Sequence, residues 1–395
     1  MKRTFKYRMY PSKTAEKKLL ETLEICRKTY NDLLEINIET YQNTGKGLTK
    51  FDMNKCINCM GGIDKSDVHS QVLQNVSDRL NKSFRNFFRR VKQNKGKAGF
   101  PRYKKDIKSF TYPQSGYTLN NHTLKLSKVG DVNLRIGRTQ NKIKGEIKTL
   151  TVKRMPSGKW FVCIAAEINE EVIPTNNKAG VGIDLGLNKF VYDSDGNYFN
   201  HPRSLNESLK QLAREQRRMS RKTKGSKGRK KQRLRVARIH ETITNQRNDF
   251  LHKLSKCYTD SYGIIAMEKL NIKGMVKNHH LARSINDASW GRFVQMLEYK
   301  ASSAGVQVRK VDPKYTSQKC SQCGSIVKKS LAVRTHRCLC GFVADRDYNA
   351  ANNILIRATA GTAERYADGD GSSLLGQIQE GSLSEKSEAN GFSHW

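Results

Sequence analysis

The sequence predicts a multidomain α+β chain, in which a helical segment is inserted in a small antiparallel β domain and followed by an α/β domain. Three observations predict it. Residues 2–10 alternate as a strand, yet the next β-prone segments come only after residue 117. Two long stripes of helical period fill the interval. Beyond residue 179, apolar strands alternate with helical stretches, as in a layered α/β unit.

Phe5, Tyr7 and Met9 share one face of the first strand, which Pro11-Ser12 ends. Leu19, Leu23, Cys26, Tyr30 and Leu33 then recur at helical spacing. A second stripe holds Val68, Val72, Val76, Leu80, Phe84, Phe87, Phe88 and Val91. Both stripes read as core packing between helices. The segments YTLNNHTLKL, EIKTLTVKRM and KWFVCIAAEI, parted by turn residues, read as the β domain, to whose sheet residues 2–10 add a strand.

AGVGIDLGLNKFVYDSDGNYF (179–199) reads as a buried strand reaching Asp184, then a hairpin with Asp-Gly at its turn. In 210–238, KTKGSKGRKK breaks a helical pattern, so two helices joined by a basic loop are expected. YGIIAMEKL is a second apolar strand, closing on Glu268. A helix through WGRFVQMLEYKAS and a strand VQVRKV follow. Residues 361–395, with 12 Gly/Ser, six acids and two bases, are expected to be disordered.

Seventy-three Lys and Arg stand against 36 Asp and Glu in 395 residues, a formal charge of +37 with only 36% hydrophobic residues. Like charges repel in a compact state, so such an excess points to a polyanionic partner, nucleic acid first. No apolar run reaches the roughly 18 residues of a membrane span. The start, MKRTFKYRMYPSK, has no apolar signal-peptide core, so a cytoplasmic protein is expected.

Two basic runs stand out. Arg79–Lys108 holds 12 bases and one acid, Asp106; residues 210–238 hold 14 bases and one acid, Glu215. Aromatics mixed with the first run (Phe100, Tyr103, Phe110, Tyr112) suit base stacking beside phosphate contacts. The candidate contacts are Arg85, Arg89, Arg90, Lys92, Arg102, Tyr103 and Lys104, then Arg217, Arg218, Arg221, Lys230 and Lys231.

Of nine cysteines, four form close pairs: Cys320-x2-Cys323 and Cys338-x-Cys340, 14 residues apart. Clustered pairs in a reducing compartment read as metal ligands, and four thiolates suit one structural, tetrahedral Zn²⁺. The tighter C-x-C departs from the usual C-x2-C. Cys56-x2-Cys59 is a lone pair, with His69 a weak third ligand, and is read as non-metallic. Cys26, Cys163 and Cys257 read as small core residues. His279-His280 are placed in a polar loop, solvated or beside a phosphate.

Three carboxylates close separate segments: Asp184 in GIDLG, Glu268 in IAMEKLN and Asp347 in ADRDYNAANNI. A charge at the end of an apolar strand is costly unless a cation compensates it. Converged, the three would suit two Mg²⁺ or Mn²⁺ ions about 4 Å apart, activating water for phosphodiester hydrolysis. Composition leaves Asp345 and Asp347 equal.

Several ordered motifs, FKYRMYPSK, HSQVLQNVSDRLNKSFRNFFRR, GFPRYKK, GIDLG, AMEKLNIKGM, TSQKCSQCG and DRDYNAANNI, resemble those of the TnpB family over residues 1 to about 357. These are transposon-encoded RNA-guided nucleases, OrfB-like and ancestral to type V CRISPR effectors. The resemblance implies a helical recognition lobe (13–106) inserted in a small β-barrel wedge domain (1–12 with 107–175). An RNase H-like RuvC α/β domain (176–314 with 342–360) would follow, with an inserted zinc ribbon (315–341). It implies Asp184, Glu268 and Asp347 as the catalytic triad, with Asp347 chosen through the D-x-N-A element. It implies guide RNA and a double-stranded DNA target with an adjacent motif as partners, in the interior of a prokaryotic cell and on the nucleoid when on target. Protein partners stay open. The competing readings are an RNA-guided repressor without cleavage, and a guide-free RuvC-type structure-specific nuclease. A cut-and-paste transposase is the weakest.

Overall fold

The structure is a computed structural model. It describes all residues except 1, 60–66, 94–97, 138–142, 144, 169–178, 331 and 367–395, with 203–205 and 361–366 described by their backbone alone. Contacts divide the chain into two compact units: Met1–Glu171 with Asn206–Asn245, and Val172–Leu205 with Gln246–Trp395.

The first unit joins helices to one antiparallel sheet. β1 (Lys2–Tyr10) leads into α1 (Lys13–Thr44), α2 (Lys50–Cys59) and α3 (Ser70–Lys92). Ser12 caps α1, its hydroxyl accepting from the Ala15 N–H, and Gly45 ends it in the left-handed region. The sheet then takes β2 (Ser109–Tyr112), β3 (Tyr117–Asn120), β4 (Thr123–Leu126), β5 (Gly130–Arg135), β6 (Glu146–Arg154) and β7 (Trp160–Glu167). Their order is β2-β6-β7-β1-β5-β4-β3, so β1 lies at the centre, between β7 and β5. The sheet curls until its two edges meet by side chains: the rings of Tyr112 on β2 and Tyr117 on β3 lie 6.3 Å apart.

The α1 stripe is buried throughout, and the α3 stripe from Val72 to Phe84. At its far end Phe88 and Val91 are exposed, 56% and 52%, while Phe84 and Phe87 pack edge-on against Phe100. Phe110 and Tyr112 correct the stacking expectation. Each is 1% exposed, pointing into the core from β2, while Ser109 and Thr111 bond to Arg79 on the other side. They are structural residues. α4 (Arg203–Ser220) and α5 (Lys227–Ser261) are the two expected helices, parted by residues 221–226.

The second unit is a five-stranded mixed sheet of order β10-β9-β8-β11-β12: β8 (Gly180–Leu185), β9 (Lys189–Asp193), β10 (Tyr198–Asn200), β11 (Ile264–Glu268) and β12 (Gln307–Val311). β8, β11 and β12 are parallel; β9 and β10 turn back antiparallel. α6 (Ile272–Met275), α7 (His279–Ala288) and α8 (Trp290–Ala304) follow β11. Val181, Ile183, Ile265 and Met267 face one way, into a core with Leu251 and Leu254 of α5, Ile285 of α7 and Phe293 and Leu297 of α8. The opposite face carries α9 (Arg346–Tyr366), which follows the short hairpin β13 (Thr335–Arg337)–β14 (Val343–Asp345). α9 runs past residue 361, where the tail was expected to begin; the rest of that tail lies outside the described residues.

Glycine makes the second face possible. Gly180 and Gly182 alternate with the buried Val181 and Ile183, so α9 meets bare backbone. A Cβ on Gly182 would lie 2.0 Å from the Ala351 carbonyl oxygen. Ala266 of β11 packs there with Ile354 and Ala358 of α9.

Candidate active site and metal centre

Asp184 and Glu268 reach the same end of the sheet on adjacent parallel strands. The register pairs Ile183 with Met267, so the next residues, Asp184 and Glu268, stand level on one face. That face is the one that holds α9, whose first turn carries Asp347. The three candidate acids therefore converge within the second unit. The Asp184 carboxyl is pushed well above the usual carboxylate range by burial first, then by the Glu268 and Asp347 carboxylates. Glu268 is raised by burial and pulled back by a hydrogen bond from Thr316 and by the charge of Arg357.

The three carboxylates do not close as tightly as a metal cage. Among the described residues, the four cysteines are the group whose ligand atoms all lie within 4.8 Å of one another. Asp347 is instead flanked by guanidinium groups, Arg346 at 3.5 Å and Arg334 at 3.8 Å. Hard oxygen donors that repel one another suit Mg²⁺ or Mn²⁺; here Arg346 and Arg334 beside Asp347, and the charge of Arg357 on Glu268, supply part of the compensating charge.

Asp345 and Asp347 have different surroundings. Asp345 precedes α9 as its cap: Oδ1 accepts the Asp347 N–H at 2.8 Å, and Oδ2 pairs with Lys189 Nζ at 3.0 Å. Asp347, one step into the helix, interacts with Asp184.

The cysteine knuckle has the dimensions of a zinc site. Cys320 and Cys340 Sγ lie 3.8 Å apart, and Cys323 and Cys338 Sγ 3.5 Å. Thiolates about 2.3 Å from a tetrahedral Zn²⁺ stand about 3.8 Å from one another. Two buried asparagines tie the knuckle to α9. Asn349 accepts from Ser321 N at 2.9 Å and donates to Lys319 O at 2.8 Å. Asn353 donates to the carbonyls of Thr316 and Lys319.

Thr316 and the two asparagines escaped the reading of the sequence. Thr316 is 3% exposed, and its hydroxyl donates to Glu268 Oε1. The signal was present in NAANN, which sets three asparagines in the first turns of α9, and in the threonine that opens TSQKCSQCG.

The other candidates lie elsewhere. Arg85, Arg89, Arg90 and Lys92 are exposed along the second half of α3, and Arg102, Tyr103 and Lys104 on the segment after it. Asn31 holds that segment through both the N–H and the carbonyl of Lys104. Arg217, Arg218, Arg221, Lys230 and Lys231 are exposed on and between α4 and α5, although Arg218 is paired with Glu215 at 2.6 Å. Cys26 is buried, while Cys163 and Cys257 are only partly so. His69 caps α3, accepting from the Gln71 N–H. His279 and His280 open α7 rather than sit in a loop.

Three family profiles match the chain: a helix-turn-helix domain (residues 1–46), a probable transposase, OrfB_IS605 (163–279), and a Cas12f1-like TNB domain (290–354). In the structure the first of these spans a strand and a single 32-residue helix. Among solved structures, a Cas12f1–sgRNA–target DNA complex shares the multidomain α+β fold, with TM-score 0.53 at 14% identity over 90% of this chain and 98% of that one. Among the described residues, no helix is long and apolar enough to cross a membrane. A putative RNA-guided DNA endonuclease InsQ of Escherichia coli (strain K12) is 33% identical over 90% of this chain and 92% of its own. A putative RNA-guided DNA endonuclease of Streptomyces pristinaespiralis is 35% identical over 373 residues, 92% of this chain and 91% of its own. Likeness at that level, over nine-tenths of the chain, means that the chain belongs to the OrfB-like TnpB family its motifs resemble.

Proposed function

We propose that this chain is an RNA-guided DNA endonuclease of a transposable element, cutting both strands of a matched target at one acidic site. The observation that carries the site is the level placement of Asp184 and Glu268 with Asp347 of α9 over the same face. Base pairing to a guide RNA reads the target, while protein reads a short adjacent motif and the shape of the heteroduplex.

Asp184, Glu268 and Asp347 would hold Mg²⁺ or Mn²⁺, two ions in the two-metal scheme. Bound there, the metal supplies an activated water and stabilises the leaving oxygen. The chain's own residues do the positioning. Thr316 fixes the Glu268 carboxylate, Asp345 fixes the first turn of α9, and Gly182 sets how near that helix comes. Cys320, Cys323, Cys338 and Cys340 would hold one structural Zn²⁺, which leaves no open position for chemistry.

The sheet order, three antiparallel strands then two parallel, supports an RNase H-like RuvC domain over 176–314 and 342–360, with a zinc ribbon at 315–341. The curled sheet and helices support a wedge domain (1–12, 107–175) and a recognition lobe (13–106). The exposed bases of α3 and of the α4–α5 turn would follow phosphates, with affinity falling as salt rises. All three acids are in place, which favours a cutting enzyme over a repressor.

The test is to express the chain with its native flanking DNA, sequence the RNA that copurifies, and assay matched DNA in Mg²⁺. A discrete RNA with a constant scaffold, and cleavage that Asp184→Ala abolishes while binding persists, is the expected result. Cleavage by Asp184→Ala would remove the site assignment. Activity on branched DNA that survives RNase would favour the guide-free nuclease.

A further inference from the structure

We infer that Tyr198, braced by Lys189 and Tyr192, is a stacking subsite for a nucleobase of the single DNA strand beside the cut phosphodiester; this rests on the nuclease reading above. Cross-strand register puts the residues in one line. Asp184 pairs with Tyr192, and Tyr192 with Tyr198. Directly opposed residues share a face, so Tyr198, Tyr192, Asp184 and Glu268 form a row from the sheet edge into the acidic site. With neighbouring strands about 4.8 Å apart, Tyr198 stands roughly 10 Å from the position of Asp184, within a few nucleotides' reach.

The cluster around Tyr198 holds its ring open. Lys189 Nζ lies 4.5 Å from the Tyr198 ring centroid and 4.3 Å from that of Tyr192, and is anchored by Asp345 at 3.0 Å. The two rings are 5.8 Å apart, inclined by 33°. Tyr192 is used on its other side by Tyr348 of α9, at 6.1 Å. Tyr198 has no such cover: it is 53% exposed, on a three-residue edge strand. An exposed ring propped by a cation, next to acids that repel phosphate, offers the strand what the acids do not. The ring gives a π-face that any base can use, and the ammonium offsets the backbone charge.

The test uses the full chain loaded with its guide RNA, bearing Asp184→Asn to hold the target uncut. Matched DNA carries 2-aminopurine at successive positions around the cut. Quenching at one position with Tyr198, lost in Tyr198→Ala and restored in Tyr198→Phe, is the expected result. In the cutting enzyme, Tyr198→Ala should slow cleavage of the already bound target about tenfold and leave the thermal midpoint in place. Quenching and that cleavage rate both indifferent to Tyr198→Ala would overturn the subsite. Tyr198-dependent quenching in a chain that never cuts would keep the subsite and sink the nuclease reading instead.

Discussion

Gly182 of β8 lies directly under Ala351 of α9, so close that a Cβ would stand 2.0 Å from the Ala351 carbonyl oxygen. The obstacle is backbone on both sides, and neither element can give by rotating a side chain. Gly182→Ala must therefore lift the helix whose first turn presents Asp347. Overpacking of this kind costs about 1–3 kcal/mol, and a displacement of about 1 Å at reacting groups can cost about 100-fold in rate. Gly182→Ala is expected to lower the thermal midpoint by several degrees and cut cleavage far more than guide or target binding. A variant that cuts at the parental rate would show that α9 does not set the site.

The knuckle should behave as a structural metal site with a remote effect on cutting. Its loop has little core of its own, and its cysteines are held against α9 by Asn349 and Asn353. The purified protein is expected to carry one zinc per chain. Cys323→Ser should lose that zinc, expose residues 315–345 to proteolysis, and lower cleavage at least tenfold even in excess Mg²⁺. A zinc-free variant with intact cleavage would detach the knuckle from the acidic site.

Much of this was legible in the sequence because the strongest constraints are local. Asp184 and Glu268 announced themselves as charges closing apolar strands, and two cysteine pairs need no long-range information to look like a metal site. What failed was anything whose meaning lies in a partner far along the chain. Phe110 and Tyr112 sit against a basic run and looked like stacking residues. Their alternation with Ser109 and Thr111, the real signal, covers only four positions. Phe88 and Val91 continue the helical stripe, yet both are exposed. Lys189 carries no signal in the sequence; its partner Asp345 lies 156 positions on.

Lys300 gives a test of stability against pH that is independent of metal. Its ammonium donates to the His252 carbonyl and to Ser255 Oγ, and burial first, then Lys256, pushes its pKa down to about 8. The unfolded chain keeps the ordinary value of 10.5. Between these values the unfolded state binds more protons, so stability from this group rises with pH across that window. Below about 8 both states are charged and the full penalty remains. Lys300→Met should therefore be the more stable chain at pH 7, by on the order of 1 kcal/mol after allowing for the solvent that still reaches the side chain. Its advantage should shrink steadily toward pH 10. Thermal midpoints of both proteins across this range decide it; a constant difference would mean packing, not charge, is responsible.

Thr316 should be the most informative single hydroxyl in the protein. It is buried, donates to Glu268 Oε1, and its Oγ1 also lies 3.0 Å from the Pro313 carbonyl oxygen. Asn353 holds the same residue by its carbonyl, so the hydroxyl is fixed by α9 as well as by the loop before the knuckle. Thr316→Val keeps the shape and removes the donor, leaving a half-buried carboxylate without its partner. Hydrogen bonds to charged groups are worth about 1.5–3 kcal/mol, so cleavage should fall between about tenfold and 100-fold, with the Mg²⁺ needed for half-activation raised. Thr316→Ser, which keeps the hydroxyl, should recover most of the loss. If Thr316→Val and Thr316→Ser cut alike, the hydroxyl does not orient Glu268, and the loop positions that carboxylate by packing alone.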